Sequence, residues 1–229
     1  MNVSIIIPCF NEQNTIKEIV TNVKNFISKN DEIIVIDDGS TDNTIHILKN
    51  DLNGIVDNLI LNDKNYGKGY SIRKGILSAN CEIILIQDAD LEYHPSDYEK
   101  LLKPIKNGIA DVVYGSRFIS SDERKVLYYW HTLGNKFLTI LSNFFTNLNL
   151  TDMEVGYKLF KSEVIKDIQI EENRFGFEPE ITAKIAKKNL RIYEVGVKYF
   201  GRKYADGKKI TWRDGFSALR CIVFYSLFR

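Results

Sequence analysis

The stretch EIIVIDDGSTDNT, residues 32–44, runs from a block of Ile and Val into two aspartates and then into a cluster of turn residues. A short apolar run rich in β-branched residues is the pattern of a strand buried on both faces. The GSTDNT that follows supplies turn and N-cap chemistry for a helix. The same grammar recurs outward from here. VSIIIP (3–8) reads as a buried strand, and the helix opening at Asn11–Glu12 carries Ile16, Ile19, Val20 and Val23 on one stripe. GIVDNLIL (54–61) is a weaker strand, YGKGYSIRKGILSA (66–79) a loop feeding a helix, and EIILIQ (82–87) a fourth strand. HPSDYEKLLKPI (94–105) is a helix with Pro95 near its start, and ADVVYGS (110–116) a fifth strand.

Strands alternating with helices at this spacing predict an α/β fold built on a mostly parallel sheet. In such sheets ligands sit beyond the carboxyl ends of the strands. The polar clusters Pro8–Glu12, Asp37–Asp42 and Asp88–Glu92 all follow a strand's last apolar residue. No repeat, low-complexity run or linker divides the chain, so residues 1–229 are expected to form one domain, with a ligand-binding half over 1–118. After about residue 120 the rhythm fades into aromatic, helical segments, which reads as an acceptor-side half over 119–229.

At 229 residues and 44% hydrophobic, the chain has ample length for a core. Net charge is only +1, yet residues 184–229 carry twelve Lys/Arg against three Asp/Glu, a local +9 that leaves about −8 for the rest. An acidic body with a basic end suggests a metal-binding centre and a contact with something anionic; a solvated basic face is the plainer alternative. Cys9, Cys81 and Cys221 show no C-x-x-C spacing and are read as reduced thiols. His46, His94 and His131 form no zinc-ligand pattern with them. No basic segment precedes the strand at Val3, so no secretory signal is expected. FLTILSNFFTNLNL (137–150) is too short and too interrupted to span a bilayer. A cytoplasmic protein, possible peripheral contact with the cytoplasmic membrane face included, is the expectation.

The sharpest local puzzle is IILIQDADLEYHP, residues 83–95. A buried strand ends on two carboxylates one residue apart, and these repel unless a cation faces them. In extended D-A-D both side chains point to one side. Mg²⁺ favours one or two carboxylates completed by phosphate oxygens and water. Alone, such aspartates serve equally as turn or cap residues, and Asp97 reads as a helix cap.

Taken together and in this order, IIIPCFNE, IIVIDDGSTDNT, NYGKG and IQDADLEYHP resemble the family-two glycosyltransferases of the GT-A fold. Within them the chain is most similar to the polyprenol-phosphate (dolichol-phosphate) mannose or glucose synthases, over residues 3 to 215. The resemblance implies a single GT-A domain with a Rossmann-like sheet flanked by helices. It also implies metal-dependent, inverting transfer of a hexose from a UDP- or GDP-sugar to a polyprenyl phosphate, with Mg²⁺ or Mn²⁺ as cofactor. Matched position by position, Pro8, Asn11 and Glu12 contact the nucleotide, Asp38 reads the base or ribose, and Gly67, Lys68 and Gly69 approach the nucleotide. Asp88, Ala89 and Asp90 form the metal motif. Glu92 stands where many synthases carry Gln as a further metal contact. Arg117, in YGSRF, matches a phosphate-contacting Arg. Asp152 matches the acidic position before the G-Y-K segment, where a base or an acceptor contact is found, and Glu154 follows it. Glu178 and Glu180 are candidates for sugar hydroxyls, and helix N-terminal acids are the alternative. Arg202 and Lys209 match the basic loop that meets the diphosphate or a lipid head group.

A phosphate acceptor is already a nucleophile and needs no strong base, whereas a hydroxyl acceptor on a glycan or glycolipid, the alternative substrate, needs one. The terminal helix, with Trp212, Phe216, Leu219, Ile222, Val223 and Phe224 at its apolar positions, is expected to close the core or lie at a membrane interface. A phosphate-receiver module is too short for this chain, a sugar nucleotidyltransferase would have a Gly-rich loop where PCFNE stands, and an oxidoreductase would carry G-x-G-x-x-G there. A non-catalytic nucleotide-sugar-binding adaptor is the remaining alternative. Neither composition nor motifs point to nucleic acid.

Overall fold

The computed structural model describes residues 1–119, 125, 126, 128–202 and 212–229, the side chains of 212 and 213 aside. Strands β1 (Val3–Cys9), β2 (Glu32–Asp37), β3 (Asn58–Leu61), β4 (Ile83–Ile86) and β5 (Val112–Ser116) form within the stretches that their apolar runs predict. Two further strands, β6 (Lys158–Lys161) and β7 (Ile192–Gly196), lie in the half whose pattern gave no clear rhythm. All seven join one sheet in the order β3-β2-β1-β4-β6-β5-β7. β1 pairs in parallel with β2 and β4, β2 with β3, and β5 with β7, while β6 runs antiparallel between β4 and β5. The Ile and Val residues of β1, β2 and β4 are almost wholly buried, as strands covered on both faces must be.

Helices fill the crossovers. They are α1 (Ile16–Phe26), the short α2 (Thr44–His46) running into a wide turn at Ile47–Asp51, α3 (Lys68–Ser78), α4 (Tyr98–Lys106), α5 (Tyr129–Thr146), α6 (Ser162–Lys166), α7 (Phe177–Ala186) and α8 (Trp212–Leu227). α1 buries the stripe Ile16, Ile19, Val20 and Val23. It begins at Ile16, later than the expected start at Asn11, because Asn11 has φ +50 and is committed to a loop. Its amide accepts from Thr41 N at 2.8 Å and its own N–H donates to Ser40 Oγ at 2.8 Å. Asp97 stands at the cap position of α4 but its side chain makes no cap bond; it accepts from Lys198 N at 2.7 Å and pairs with Lys100 at 2.9 Å.

α5, α7 and α8 pack on one another beside the sheet. α8 turns Ala218, Cys221, Ile222 and Tyr225 inward, so most of it closes the core. α5 packs Leu138, Leu141 and Phe145, half-buried, against the core but exposes several other apolar side chains. Its buried residues are Thr139 and Ser142, while Trp130 (78% exposed), Phe137 (56%), Ile140 (67%) and Phe144 (79%) face out. No helix among the described residues is long and apolar enough to cross a membrane.

One buried polar residue ties the sheet to the loop that follows β4. Gln87 accepts hydrogen bonds from the hydroxyls of Tyr98 (2.8 Å) and Tyr157 (2.7 Å), and its amide donates to Asp88 O at 2.9 Å. With Gln87 fully buried, the start of the D-A-D turn is fixed against α4 and the segment entering β6. Substituting Gln87→Leu leaves two buried hydroxyls without an acceptor, at about 1–3 kcal/mol each. Urea unfolding of this variant is expected to show a stability loss of about 2–4 kcal/mol, and a loss under about 0.5 kcal/mol would mean the two tyrosines find other partners.

Candidate active site

The strand ends β1, β2 and β4 and the loops after them open into one cavity of about 1090 Å³. Pro8, Glu12, Asp38, Gly67, Lys68, Asp88, Ala89, Asp90, Glu92, Arg117 and Arg202 all line it. The structure thus gathers residues from across nearly 200 positions of sequence at the sheet edge where ligands of α/β proteins bind.

Asp38 shapes the G-K-G turn. Its carboxylate accepts from the backbone N–H of Tyr66 (3.1 Å) and Gly67 (2.7 Å) and from Asn62 Nδ2 (2.8 Å). Gly67 has φ +112, and a Cβ there would come within 2.4 Å of Asn173 O, so only glycine fits. The turn delivers Lys68, whose ammonium lies 2.7 Å from Asp88 Oδ1 and 2.9 Å from Glu178 Oε1. Burial disfavours that charge, but Asp88 and Glu178 more than reverse this and hold the lysine above its ordinary pKa.

On the other wall, Arg202 reaches into the acidic group. It donates through Nε to Asp90 O (2.8 Å), through Nη2 to Glu12 (2.8 Å) and through its backbone N–H to Glu92 Oε1 (2.6 Å). Burial, then the carboxylates of Asp88 and Glu92, push Asp90 up to about 7, against the pull of Arg202. Arg117 is clamped by Asp152 through Nε and Nη2, each at 2.6 Å, and lies 5.2 Å from the centre of the Tyr199 ring.

Several expectations need correction. Asp152 is fully buried, and both its oxygens are used to hold Arg117; it is a positioning partner of that arginine and not a base in the cavity. Glu180 is also fully buried and accepts from Glu171 N, Glu172 N and Lys184 Nζ, so it braces a loop and touches no cavity. Asn11 lies outside the cavity lining, clipped to Ser40 and Thr41. Glu92 lines the cavity and accepts from Tyr199 OH (2.9 Å) and Arg202 N. Lys209 lies outside the described residues. Conversely, sequence reasoning overlooked Arg174 and the tyrosines 93 and 199 in the wall, while Glu154, offered beside Asp152 as a carboxylate for a hydroxyl acceptor, lines it.

Among the described residues, no three carboxylates, imidazoles or thiolates converge to hold a metal alone. Asp88 is turned to Lys68 and Glu92 to the 199–202 segment, which leaves Asp90, with its raised proton affinity, as the least compensated carboxylate of the turn after β4. A hard oxygen donor of this kind fits a divalent cation that takes its remaining oxygens from a phosphate ligand and water.

A doubly covered sheet of this order with an acidic turn after its central strand defines the GT-A class of sugar transferases. The family model described as glycosyl transferase family 2 matches residues 4–169, and the chain belongs to that family. It is 30% identical to the UDP-N-acetylglucosamine–dolichyl-phosphate N-acetylglucosaminyltransferase of Methanococcus voltae, over 97% of this chain and 93% of that one. It is 26% identical to the dolichol-phosphate mannosyltransferase of Pyrococcus furiosus, over 92% of this chain and 61% of that one. Among solved structures, glucosyl-3-phosphoglycerate synthase from Mycobacterium tuberculosis, in complex with Mn²⁺, UDP and phosphoglyceric acid, superposes with a TM-score of 0.78. It covers the whole of this chain and 79% of that one at 15% identity, a likeness of fold.

The Asp90 carboxyl binds its proton more tightly in the folded chain than in the unfolded one. It therefore favours folding at low pH, and that contribution is lost as pH rises from about 4 through about 7. Ligand-free Asp90→Asn is expected to unfold at a higher urea concentration than the parent at pH 8, with the gain fading as pH is lowered through that window. A variant less stable than the parent at pH 8 would contradict the uncompensated charge.

Proposed function

We propose that this glycosyltransferase moves a hexose from a nucleotide-diphosphate sugar to a polyprenyl phosphate, with inversion at the anomeric carbon. One observation carries the choice of acceptor. The cavity that holds Arg117 and Arg202 is walled on one side by the first turns of α5, through Trp130, His131, Asn135 and Leu138. The rest of that helix exposes Leu133, Phe137, Ile140 and Phe144. Two arginines in a pocket that opens along an apolar helix match a ligand with a phosphate head and a long hydrocarbon chain.

In this reading, Asp38, Pro8 and the G-K-G turn receive the nucleoside, and Asp90, with Asp88 behind it, faces the diphosphate. A divalent cation bound there, Mg²⁺ or Mn²⁺, supplies positive charge to the departing diphosphate. Arg202, anchored on Glu12 and on the backbone of Asp90, adds a fixed cation beside the same group. Arg117, held rigid by Asp152, is the seat for the acceptor phosphate. A phosphate brought in line by such a guanidinium attacks without losing a proton, so orientation and charge neutralisation are what the protein must supply. The apolar face of α5 rests on the bilayer that carries the acceptor. The homologues named for dolichyl-phosphate acceptors support the same reading.

A second reading, transfer to a sugar hydroxyl, has one observation in its favour. Burial and the neighbouring Glu178 push the carboxyl of Glu154, in the cavity wall, up to about 7, a value suited to a general base. Product partition separates the two. With a radiolabelled UDP- or GDP-sugar, Mn²⁺ and undecaprenyl phosphate, label is expected in the organic phase and is released again by mild acid. Label appearing only in water-soluble saccharide would overturn the lipid-phosphate acceptor.

Membrane contact is tested on its own. Vesicles of phosphatidylcholine and phosphatidylglycerol are expected to sediment the parent chain. The double variant Phe137→Ser, Ile140→Ser is expected to lose at least about tenfold in partitioning, since burying each such side chain contributes about 1.5–3 kcal/mol. Equal sedimentation of both proteins would remove α5 from the interface.

A further inference from the structure

Three buried side-chain oxygens among the described residues have no hydrogen-bond partner: Glu154 Oε1, Glu178 Oε2 and Ser226 Oγ. Two of the three belong to residues lining the one large cavity. Glu178 is 5% exposed and shares its other oxygen with Lys68, which in turn holds Asp88. Glu154 stands two residues before Gly156, where a Cβ would come within 2.1 Å of Asp88 Oδ2. Glu178 thus reaches the acidic turn through Lys68, and the segment of Glu154 reaches it through Gly156.

An unpaired buried carboxylate oxygen is costly, and at a binding site the ligand is what completes it. Ionised carboxylates only accept hydrogen bonds. Phosphate and diphosphate oxygens also only accept, and they carry like charge, so against the ionised carboxylates neither the leaving diphosphate nor an acceptor phosphate finds a donor. Of the parts of a nucleotide sugar next to the diphosphate, the hexose is the one rich in O–H and N–H donors.

We propose that Glu154 Oε1 and Glu178 Oε2 form the seat of the donor's hexose ring, each accepting a hydrogen bond from a ring hydroxyl or amide, and that Glu154 sets which sugar is accepted. This rests on the nucleotide-sugar reading above. Because Glu178 is already tied to Lys68, Glu154 is the member whose whole function is the sugar. A hexose lacking the matching donor, or offering an acceptor in its place, leaves Glu154 unpaired and is rejected. Gly156 keeps the wall thin enough for Asp88 and the ring to share this corner.

Calorimetric titration of the full chain with Mn²⁺ tests the assignment, using UDP and GDP beside UDP-glucose, UDP-N-acetylglucosamine and GDP-mannose. The parent is expected to bind at least one of these sugars more tightly than its parent diphosphate. Glu154→Ala is expected to remove about tenfold or more of that gain while nucleoside diphosphate affinity stays within about twofold. Glu154→Gln, which keeps the volume and one acceptor oxygen, is expected to fall between them, and thermal unfolding checks that both variants fold. A merely structural glutamate would weaken diphosphate and sugar forms alike, which would overturn the proposal. So would a sugar-dependent gain that survives in both variants or is absent in the parent. If turnover falls in Glu154→Gln with sugar affinity untouched, Glu154 acts on the acceptor and the seat is elsewhere. A parent chain that binds no nucleoside diphosphate at all would instead bring down the donor reading itself.

Discussion

The ammonium of Lys68, lodged between Asp88 and Glu178, is the contact on which the site's architecture depends. Three strands deliver acidic turns to one edge, and α7 adds another carboxylate from behind. Without a cation at their centre these groups would repel across a few ångströms in partly desolvated surroundings. Lys68 joins the start of α3, the end of β4 and the first turn of α7. It reaches that point only because Asp38 holds the backbone of Tyr66 and Gly67, and because Gly67 lets the chain pass against Asn173. The turn motifs are thus one electrostatic assembly.

The opposite wall is organised by the same rule with the signs exchanged. Arg117 and Arg202 are held at the cavity by carboxylates. Asp152 locks the first, while Glu12 and Glu92 lock the second. Held in place, these guanidiniums are preorganised for the phosphate groups we propose they meet. The acidic floor and the cationic wall leave Asp90 as the least compensated carboxylate of the turn after β4, and Glu154 and Glu178 with oxygens to spare. Between them run the places we propose for a metal-bound diphosphate and a hexose.

The strand-end cluster that we assign to the nucleotide was legible as a cluster because its motifs are local. A buried strand, an acidic turn and a helix start follow one another within a dozen residues, and Asp38, Lys68, Asp88 and Asp90 sit at the joints. The acceptor side was not legible in the same way. Asp152 and Glu180 carry the right chemistry at promising positions, yet their partners, Arg117 and the 171–172 backbone, take up every oxygen. Glu92 accepts from Tyr199 and Arg202, more than a hundred residues away. The stretch after residue 120 showed no clear rhythm in which to place α5: Leu138, Leu141 and Phe145 pack half-buried against the core beside Thr139 and Ser142, while Phe137, Ile140 and Phe144 face out.

The central claim is that the acidic sheet edge is completed jointly by a divalent cation and a nucleoside diphosphate. Titrating Mn²⁺ into the chain while following free Mn²⁺ by electron paramagnetic resonance tests it, with and without UDP or GDP. Weak binding to the protein alone, tightened at least about tenfold by one of the two diphosphates, is the predicted result, and that diphosphate must then bind more tightly with Mn²⁺ by the same factor. A Mn²⁺ affinity that neither diphosphate changes would contradict the account.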